Sequence, residues 1–268
     1  MQYLKLNNGV SMPVIGIGGW SQKKENIIDA LNVGYRMIDT AAQYGNESEV
    51  GGAIRDFGVG RGDIFLTTKL WTQDIREHRV KEAFEESLNR LGTDYVDLYL
   101  IHWPAEGFEN AYLEMEKLYK EGKVRAIGVS NFEKHHLDAL VQNGASVVPV
   151  VNQVEIHPYF SNSEIVDECN KRGTVPEAWC PLGGPGSSEM NDEKIQGVAE
   201  KYDKTIAQII LRWHIQRGVA VIPKSSNPER MKQNFDVFDF ELDSRDMDII
   251  NELDCGKRLG AHPDNFDF

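Results

Sequence analysis

At residues 38–47 the chain reads Ile38-Asp39-Thr40-Ala41-Ala42-Gln43-Tyr44-Gly45-Asn46-Glu47. This stretch closes a short apolar run that begins at Tyr35, and it ends in a Gly-Asn pair that is typical of a turn. We therefore predict a strand that opens into a loop. The carboxylate of Asp39 and the phenol of Tyr44 then belong to the same strand end, five positions apart.

Two later apolar runs also end in a side chain that can carry a positive charge. One run closes at Lys69, and the other is followed directly by His102. If the three strands are parallel neighbours, their carboxyl ends meet at one rim, which is where α/β barrels carry their chemistry. We therefore expect one cluster, formed by Asp39, Tyr44, Lys69 and His102.

Strand-like and helix-like segments alternate along the chain. The strand-like runs are residues 14–18, 35–38, 64–69, 96–101, 124–129, 148–152, 174–180 and 219–223. Helical segments lie near residues 24–33, 46–56, 78–91, 108–121, 133–142, 162–172, 192–202 and 205–217. Because helix-length crossovers join parallel strands, eight such units favour a closed (β/α)8 TIM barrel over an open sheet. We also expect an N-terminal β-hairpin, extra helices between residues 192 and 217, and a single domain over residues 1–268.

The composition excludes several classes of partner. The net charge is −13 and no block of like charge occurs, which argues against nucleic acid and anionic membranes as partners. No run of about 18 apolar residues exists, and the first residues lack the apolar core of a signal peptide. The three cysteines (Cys169, Cys180 and Cys255) are scattered and odd in number, which indicates a reducing compartment. We expect a cytoplasmic protein.

The four clustered side chains have the chemistry of a proton donor. A free tyrosine has a pKa near 10, and a neighbouring ammonium lowers it because it stabilises the phenolate. A carboxylate behind the lysine keeps the ammonium charged and in place. Taken singly, Asp39 could cap a turn, while Tyr44 and His102 could be packing residues. Lys69 is harder to explain in that way, because a lysine at the inner end of an apolar strand needs a partner.

Two segments could bind the phosphates of a cofactor. The run Gly16-Ile17-Gly18-Gly19-Trp20-Ser21 follows a strand and precedes Asp39 by about 20 residues, which resembles a Rossmann fingerprint. It lacks the third glycine, where Ser21 stands, and the bulky Trp20 occupies the turn. The second segment, residues 221–230, follows the eighth strand and opens a helix, so Lys224, Arg230 and backbone N–H groups could bind an anion. The alternative for this segment is an ordinary helix cap with solvated charges.

Six motifs in order resemble the signatures of the aldo-keto reductases. They are the stretch 39–47, Thr68-Lys69-Leu70-Trp71, Leu98-Tyr99-Leu100-Ile101-His102-Trp103-Pro104, Gly128-Val129-Ser130-Asn131-Phe132, Val151-Asn152-Gln153-Val154-Glu155 and Ile222-Pro223-Lys224-Ser225. The resemblance covers essentially the whole chain. It implies a catalytic tetrad of Asp39, Tyr44, Lys69 and His102, in which the tyrosine protonates a carbonyl oxygen while NADPH delivers hydride to the carbon.

The same resemblance implies the residues that bind NADPH. Ser130, Asn131 and Gln153 match positions that hold the nicotinamide carboxamide. The 2′-phosphate positions are matched by Lys224, Ser225 and Arg230, and the adenine position by Asn234. Gln233 stands where many members carry glutamate. The run 177–183 resembles another family motif, so Trp179 and Leu182 join the implied cofactor site, although tyrosine usually stands at 179 and serine at 180.

Three tryptophans follow strand ends at the expected rim, and we predict that they line the substrate pocket together with His102. They are Trp20, Trp71 and Trp103, for which rim packing is the alternative. The short C-terminus resembles that of microbial members such as the diketogluconate reductases. It implies an open pocket and broad acceptance of small-molecule carbonyl compounds. The resemblance to the family also implies a monomer.

We predict no metal site, because His135 and His136 are adjacent on a helix and the remaining histidines show no ligand spacing. Two other functions remain open. Lys69 could form a Schiff base in a barrel aldolase. Alternatively, the chain could bind the cofactor as a sensor or structural barrel without turnover.

Overall fold

The structure is a computed structural model that describes residues 1–184 and 186–268. Ten strands are present in that part of the chain. They are β1 (Tyr3–Lys5), β2 (Ser11–Pro13), β3 (Ile17–Gly18), β4 (Met37–Asp39), β5 (Phe65–Leu70), β6 (Leu98–Ile101), β7 (Ile127–Ser130), β8 (Val151–Glu155), β9 (Val175–Trp179) and β10 (Ala220–Val221). β1 and β2 form the predicted hairpin, and β3 to β10 form one parallel sheet in which each strand pairs with the next in sequence.

The sheet closes on itself between its first and last strands. Ile15 forms a parallel bridge with Val221, and the N–H of Gly16 donates to the carbonyl of Val221 at 2.9 Å. One step further along, the N–H of Gly18 donates to the carbonyl of Pro223 at 3.1 Å. These bonds give the edge strands the partners they lack in an open sheet. The predicted (β/α)8 barrel is therefore confirmed.

The glycines near this closing edge allow backbones to pass close together. A Cβ on Gly18 would lie 2.8 Å from the carbonyl oxygen of Ile222, and one on Gly19 would lie 2.5 Å from that of Asp39. Real Cβ atoms essentially never approach so closely, so strand packing explains both glycines. In the glycine run that resembles a Rossmann fingerprint, Gly18 thus serves closure of the barrel and Gly19 serves packing against β4.

Helices surround the barrel at nearly the predicted positions. They are α1 (Lys24–Val33), α2 (Glu47–Phe57), α3 (Thr72–Arg76), α4 (Val80–Leu91), α5 (Phe108–Lys120), α6 (Lys134–Gln142), α7 (Ser163–Arg172), α8 (Glu193–Tyr202), α9 (Ile206–Gln216), α10 (Pro228–Phe235) and α11 (Ser244–Asn251). In α4 the buried side chains recur at helical spacing, and Gly92 ends the helix with a φ of 66°. The extra helices α8 and α9 are confirmed, whereas α3 and α11 are additional to the prediction.

The N-terminal hairpin covers one end of the barrel. Leu6 and Met12 pack with Met37, Phe65 and Leu98, which come from the beginnings of the barrel strands. The opposite end, where the strands finish, carries buried polar groups instead. The fold therefore leaves only the carboxyl rim open for chemistry.

Within the described residues, none of the helices combines the length and the apolar character needed to cross a bilayer.

Candidate active site

Lys69 lies at the centre of a buried polar cluster. Its side chain is fully buried, and its Nζ lies 2.5 Å from Asp39 Oδ1, 3.0 Å from the carbonyl oxygen of Thr40 and 3.4 Å from the Tyr44 hydroxyl. β4 and β5 are adjacent parallel strands, which explains why Asp39 meets Lys69. An ammonium has three hydrogens to donate, and here each has an oxygen to accept it. The predicted contact between the phenol, the ammonium and the carboxylate is present.

The loop that carries Tyr44 is fixed by its neighbours. A single 3-10 turn spans Ala42–Tyr44 and ends at Gly45, which has a φ of 67°. Asn46 is buried beside it, where its Nδ2 donates to the carbonyl of Gly19 at 2.7 Å and its Oδ1 accepts from Thr40 Oγ1 at 2.8 Å. The side-chain amide therefore ties the loop to the closing edge of the barrel.

Burial and charge act against each other on the proton affinities of this pair. Burial acts to lower the pKa of Lys69, but the charge of Asp39 and the proximity of Tyr44 outweigh it, so the pKa is raised and the ammonium stays charged. Burial raises the pKa of Tyr44, and Lys69 acts in the opposite direction. The ammonium thus acts to lower the pKa of Tyr44, as we predicted. Burial outweighs it, so without a bound cofactor the Tyr44 phenol is less acidic than free tyrosine.

His102 is a neutral imidazole at the wall of the cluster. Burial, aided by the charge of Lys69, holds the pKa of His102 well below its usual value. The ring stands edge-on to Tyr44 at 5.6 Å between centroids, and to Trp71 at 5.2 Å. Its buried Nδ1 has no hydrogen-bond partner among the described residues. A buried polar atom without a partner is costly, so this atom marks a place for a ligand or a water.

Gln153 connects the cluster to a second buried acid. Its Nε2 donates to Asp39 Oδ2 at 2.8 Å and to Glu177 Oε2 at 2.7 Å. Both amide hydrogens are therefore used, and Oε1 accepts no hydrogen bond from the described residues. Asp39 fixes the orientation of this amide, because its carboxylate would repel the amide oxygen in place of Nε2.

We did not predict a role for Glu177. Its side chain is buried inside the barrel on β9, and burial, followed by the charge of Asp39, raises its pKa to about 7, although Lys69 opposes the shift. A sequence signal was available, because a glutamate within the otherwise apolar strand 175–179 needs a buried partner.

Ser130, Asn131 and Trp179 form a connected group beside Gln153. Ser130 Oγ donates to the backbone carbonyl of Gln153 at 2.8 Å, and Asn131 Nδ2 donates to that of His102 at 2.9 Å. Trp179 Nε1 donates to Asn131 Oδ1 at 2.8 Å. Asn131 has a φ of 62°, which asparagine tolerates better than most residues. The indole at 179 therefore holds an amide in place, which a tyrosine there could do only through its hydroxyl.

The segment after β10 has the features of an anion site at a helix start. Asn227 caps α10, since its Oδ1 accepts from the N–H of Arg230 at 3.1 Å, and Ser225 Oγ accepts from the N–H of Asn227 at 3.1 Å. The helix cap that we considered as an alternative is thus present. Lys224 and Arg230 are exposed, and within the described residues neither has an ion-pair partner. Gln233 is exposed, whereas Asn234 and Ser225 are buried. Leu182 is elsewhere, packed against the main core.

The C-terminal tail covers two of the three tryptophans. Phe268 stacks on Trp71, with 5.5 Å between centroids and 9° between planes, and it meets the edge of Trp103 at 5.2 Å. Phe266 also contacts Trp103 at 5.2 Å. Trp20 is 58% exposed, and its ring contacts no other aromatic ring of the described residues. Trp71 and Trp103 therefore share contacts with the tail, whereas Trp20 does not belong to this aromatic group.

Side chains of the barrel hold the tail by hydrogen bonds to its backbone. Glu155 accepts the N–H of Leu259 at 2.5 Å and that of Gly260 at 3.0 Å. Gly260 passes so close to the Trp179 ring that a Cβ would lie 2.5 Å from it. Arg76 donates to the carbonyl oxygen of Phe268 at 3.1 Å. The expectation of an open pocket is therefore wrong near Trp71, because a short tail still folds back over the rim.

Our reason for excluding a metal at His135 and His136 was also wrong. The two rings lie 4.0 Å apart, and their Nε2 atoms lie 2.9 Å and 3.3 Å from Asp264 Oδ1. Adjacent histidines at the first turn of α6 can thus face one carboxylate. His136 Nδ1 accepts the N–H of Glu133 at 3.1 Å, which leaves the hydrogen of the neutral ring on Nε2. That hydrogen stands where a metal would bind.

Comparison with known proteins agrees with the fold. The model of the aldo/keto reductase family matches residues 15–254. The chain is 45% identical to the glyoxal reductase of Bacillus subtilis, over 99% of this chain and 97% of that protein. It is 44% identical to the methylglyoxal reductase DkgA of Escherichia coli K12, over 98% and 97%. The crystal structure of MGS-M4, an aldo-keto reductase from a deep-sea metagenome library, superposes with a TM-score of 0.94 at 48% identity, covering 99% of this chain and all of that one. The chain belongs to the aldo/keto reductase family.

Proposed function

We propose that the chain is an NADPH-dependent reductase of aldehydes and ketones in which Tyr44 supplies the proton. The observation that carries the proposal is the position of the Lys69 ammonium, in contact with both the Tyr44 hydroxyl and the Asp39 carboxylate. The membership of the family supports carbonyl reduction as the reaction class.

The proposed role of each residue follows from its charge state. Burial raises the pKa of Tyr44, so the phenol keeps its proton until a bound carbonyl oxygen becomes negative. Lys69 then lowers the cost of the phenolate, and Asp39 holds Lys69 in place. The neutral His102 can donate one hydrogen bond to the carbonyl oxygen and so orient it. Proton donation of this kind contributes about 10²–10⁴ in rate.

The residues around the cluster fit a nicotinamide cofactor. Bound NADPH would supply the hydride. The free Oε1 of Gln153 is suited to accept from the carboxamide, with Asn131 and Ser130 beside it and Trp179 at the ring. The other cofactor contacts that we propose are made by Leu182, Lys224, Ser225, Arg230, Gln233 and Asn234. The exposed positive charges after β10 support a preference for the 2′-phosphate of NADPH over NADH.

We propose small aldehydes and dicarbonyl compounds as substrates. The names of the two relatives, glyoxal reductase and methylglyoxal reductase, point to this class. Trp71, Trp103 and Phe268 would form an apolar wall close to His102, which suits a small substrate, and Trp20 would act only at the outer edge. We further propose that the protein is a monomer and that it is cytoplasmic. The cytoplasmic location is in keeping with the three cysteines, which form no disulfide among the described residues.

The state of Lys69 disfavours the aldolase. A Schiff base needs an unprotonated amine, but the pKa of this amine is raised and its three hydrogens have acceptors.

Initial rates with NADPH and NADH against glyoxal, methylglyoxal, keto acids and keto sugars would test the proposal. We expect oxidation of NADPH by at least the two dicarbonyl compounds. Borohydride trapping of Lys69 without NADPH would support the aldolase, and NADPH binding without turnover would support the sensor.

A further inference from the structure

The inside of the barrel holds two carboxyl groups but only one amine. Asp39, Glu177 and Lys69 are all buried there, and Gln153 joins the two carboxyl groups by its amide hydrogens. Asp39 Oδ1 lies 2.5 Å from the Lys69 ammonium, so that pair is already balanced. A second carboxylate in the same dry space has no cation of its own, and an uncompensated buried charge is strongly unfavourable.

The strands around Glu177 bring no further cation. Among the described residues, Asp39 on β4 and Lys69 on β5 are the charged groups that act on it across the barrel, and β8 presents the neutral Gln153. On the other side, β10 places Ala220 in register with Glu177. Glu155, two residues further along β8, is occupied by the N–H groups of the tail. Burial raises the pKa of Glu177 to about 7, so in the protein alone about half of Glu177 is protonated at pH 7 and nearly all of it in mild acid.

The cofactor would bring the missing positive charge in only one of its two forms. The oxidised nicotinamide ring carries a positive charge, and the reduced ring is neutral. We propose that Glu177 releases a proton when the oxidised cofactor binds, so that its carboxylate balances the charge of the nicotinamide ring. The inference rests on the proposed function, and Gln153 is the link, since one side of its amide contacts Glu177 while its free Oε1 is suited to the nicotinamide.

The proton balance is complete without another reactant. Protonated Glu177 and NADP⁺ give the complex with ionised Glu177 and one proton in solution, whereas NADPH binds with Glu177 still protonated. NADP⁺ binding therefore weakens as pH falls below the pKa of the free protein, because the proton must be displaced. NADPH binding has no such dependence on Glu177. Acid would thus favour release of the oxidised product over release of NADPH.

Calorimetric titration with NADP⁺ and with NADPH tests the inference without turnover. Each titration is repeated at pH 7 in buffers of different ionisation enthalpy, which reveals the protons exchanged. We expect about half a proton more to be released with NADP⁺ than with NADPH, since about half of Glu177 is protonated at its pKa. The ratio of Kd for NADP⁺ to Kd for NADPH should rise by about tenfold per pH unit below 7. The 2′-phosphate titrates in both cofactors and so cancels in this ratio.

Matched variants assign the proton to one residue. Glu177→Gln should abolish both the extra proton and the slope of the ratio. Glu116→Gln, a buried carboxyl change on α5 whose carboxylate accepts from Ser146 and Val147, should leave both unchanged. Equal proton release for the two cofactors in the wild-type protein would overturn the inference, even if the enzyme reduces aldehydes with NADPH. Failure to bind either cofactor would instead overturn the proposed function. Persistence of the extra proton in Glu177→Gln would assign it to another group and also overturn the inference.

Discussion

The polar side chains at the carboxyl rim were predictable to different degrees. Asp39, Lys69 and His102 could be identified because each polar side chain stands at the end of an apolar strand, where a barrel collects functional groups. Glu177 lies inside its strand, and strand spacing alone does not tell which buried partner it will find. The pKa of Tyr44 was also out of reach, because the cost of burial depends on how much protein surrounds the phenol.

The burial of Glu177 predicts an unusual pH dependence of stability. Its pKa is about 7 in the folded protein against 4.5 for an ordinary glutamate, so the folded state binds the proton more tightly. The stability that this tighter proton binding gives to the folded state is fully present below pH 4.5, and it is lost as pH rises through 7. We subtract the free energy of unfolding of wild type from that of Glu177→Gln at each pH. This difference should rise by up to about 3 kcal/mol from pH 4.5 to pH 8.5. Urea denaturation at both pH values measures this, and a difference independent of pH would contradict it.

Secondary-structure elements were predictable where their apolar pattern is strong. All eight barrel strands lie within the predicted runs or overlap them, because buried parallel strands are nearly continuous apolar segments. α11 was missed because it spans only eight residues, Ser244–Asn251, with polar side chains between its few apolar ones. Its start was readable in principle, since Asp243 caps it by accepting from the N–H of Asp246 at 3.0 Å.

The start of α10 should discriminate between the two nicotinamide cofactors. In the double variant Lys224→Ala with Arg230→Ala, we expect NADPH to bind at least tenfold more weakly, because two charge-assisted contacts to the 2′-phosphate are lost. NADH, which lacks that phosphate, should change little. Lys232→Ala, an exposed lysine in the last turn of the same helix, is the control for general charge effects. Dissociation constants from fluorescence titration measure both cofactors, and an equal loss would place the phosphate elsewhere.

The C-terminal tail should restrict the size of the substrate. Removing the ring in Phe268→Ala uncovers Trp71 and one side of Trp103, so bulky aromatic aldehydes should gain in kcat/KM relative to methylglyoxal. Steady-state kinetics on both substrates measure the ratio. Phe240→Ala, which removes an aromatic ring packed beside Tyr202, is a control for general loosening. An unchanged ratio would mean that the tail moves aside before the substrate binds.

At the scale of the whole molecule, the alternation of segments predicted a closed barrel, and the bridge between Ile15 and Val221 completes it. The path of the tail was not predictable, because its position depends on contacts distant in sequence, such as Glu155 with Leu259. Such contacts leave no local periodicity in the sequence. The extent of the domain stays a prediction.

A single domain should unfold in one cooperative step. One core cluster extends from Ile15 to Ile250, and the second cluster, with Leu6 and Met12, packs against side chains of the same barrel strands, so neither can be retained without the other. In urea we expect the loss of helical signal in far-ultraviolet circular dichroism to coincide with the loss of aromatic signal in the near ultraviolet. Two separated transitions would contradict a single domain.

The central claim is that the Tyr44 phenol, in contact with Lys69, donates the proton. The most direct measurement compares methylglyoxal reduction and NADPH binding for wild type, Tyr44→Phe and the control Tyr159→Phe, whose hydroxyl donates to Asp192 outside the site. We predict that Tyr44→Phe lowers kcat by about 10² or more while Kd for NADPH changes little, and that Tyr159→Phe behaves like wild type. Tyr44→Phe with wild-type kcat would contradict the account.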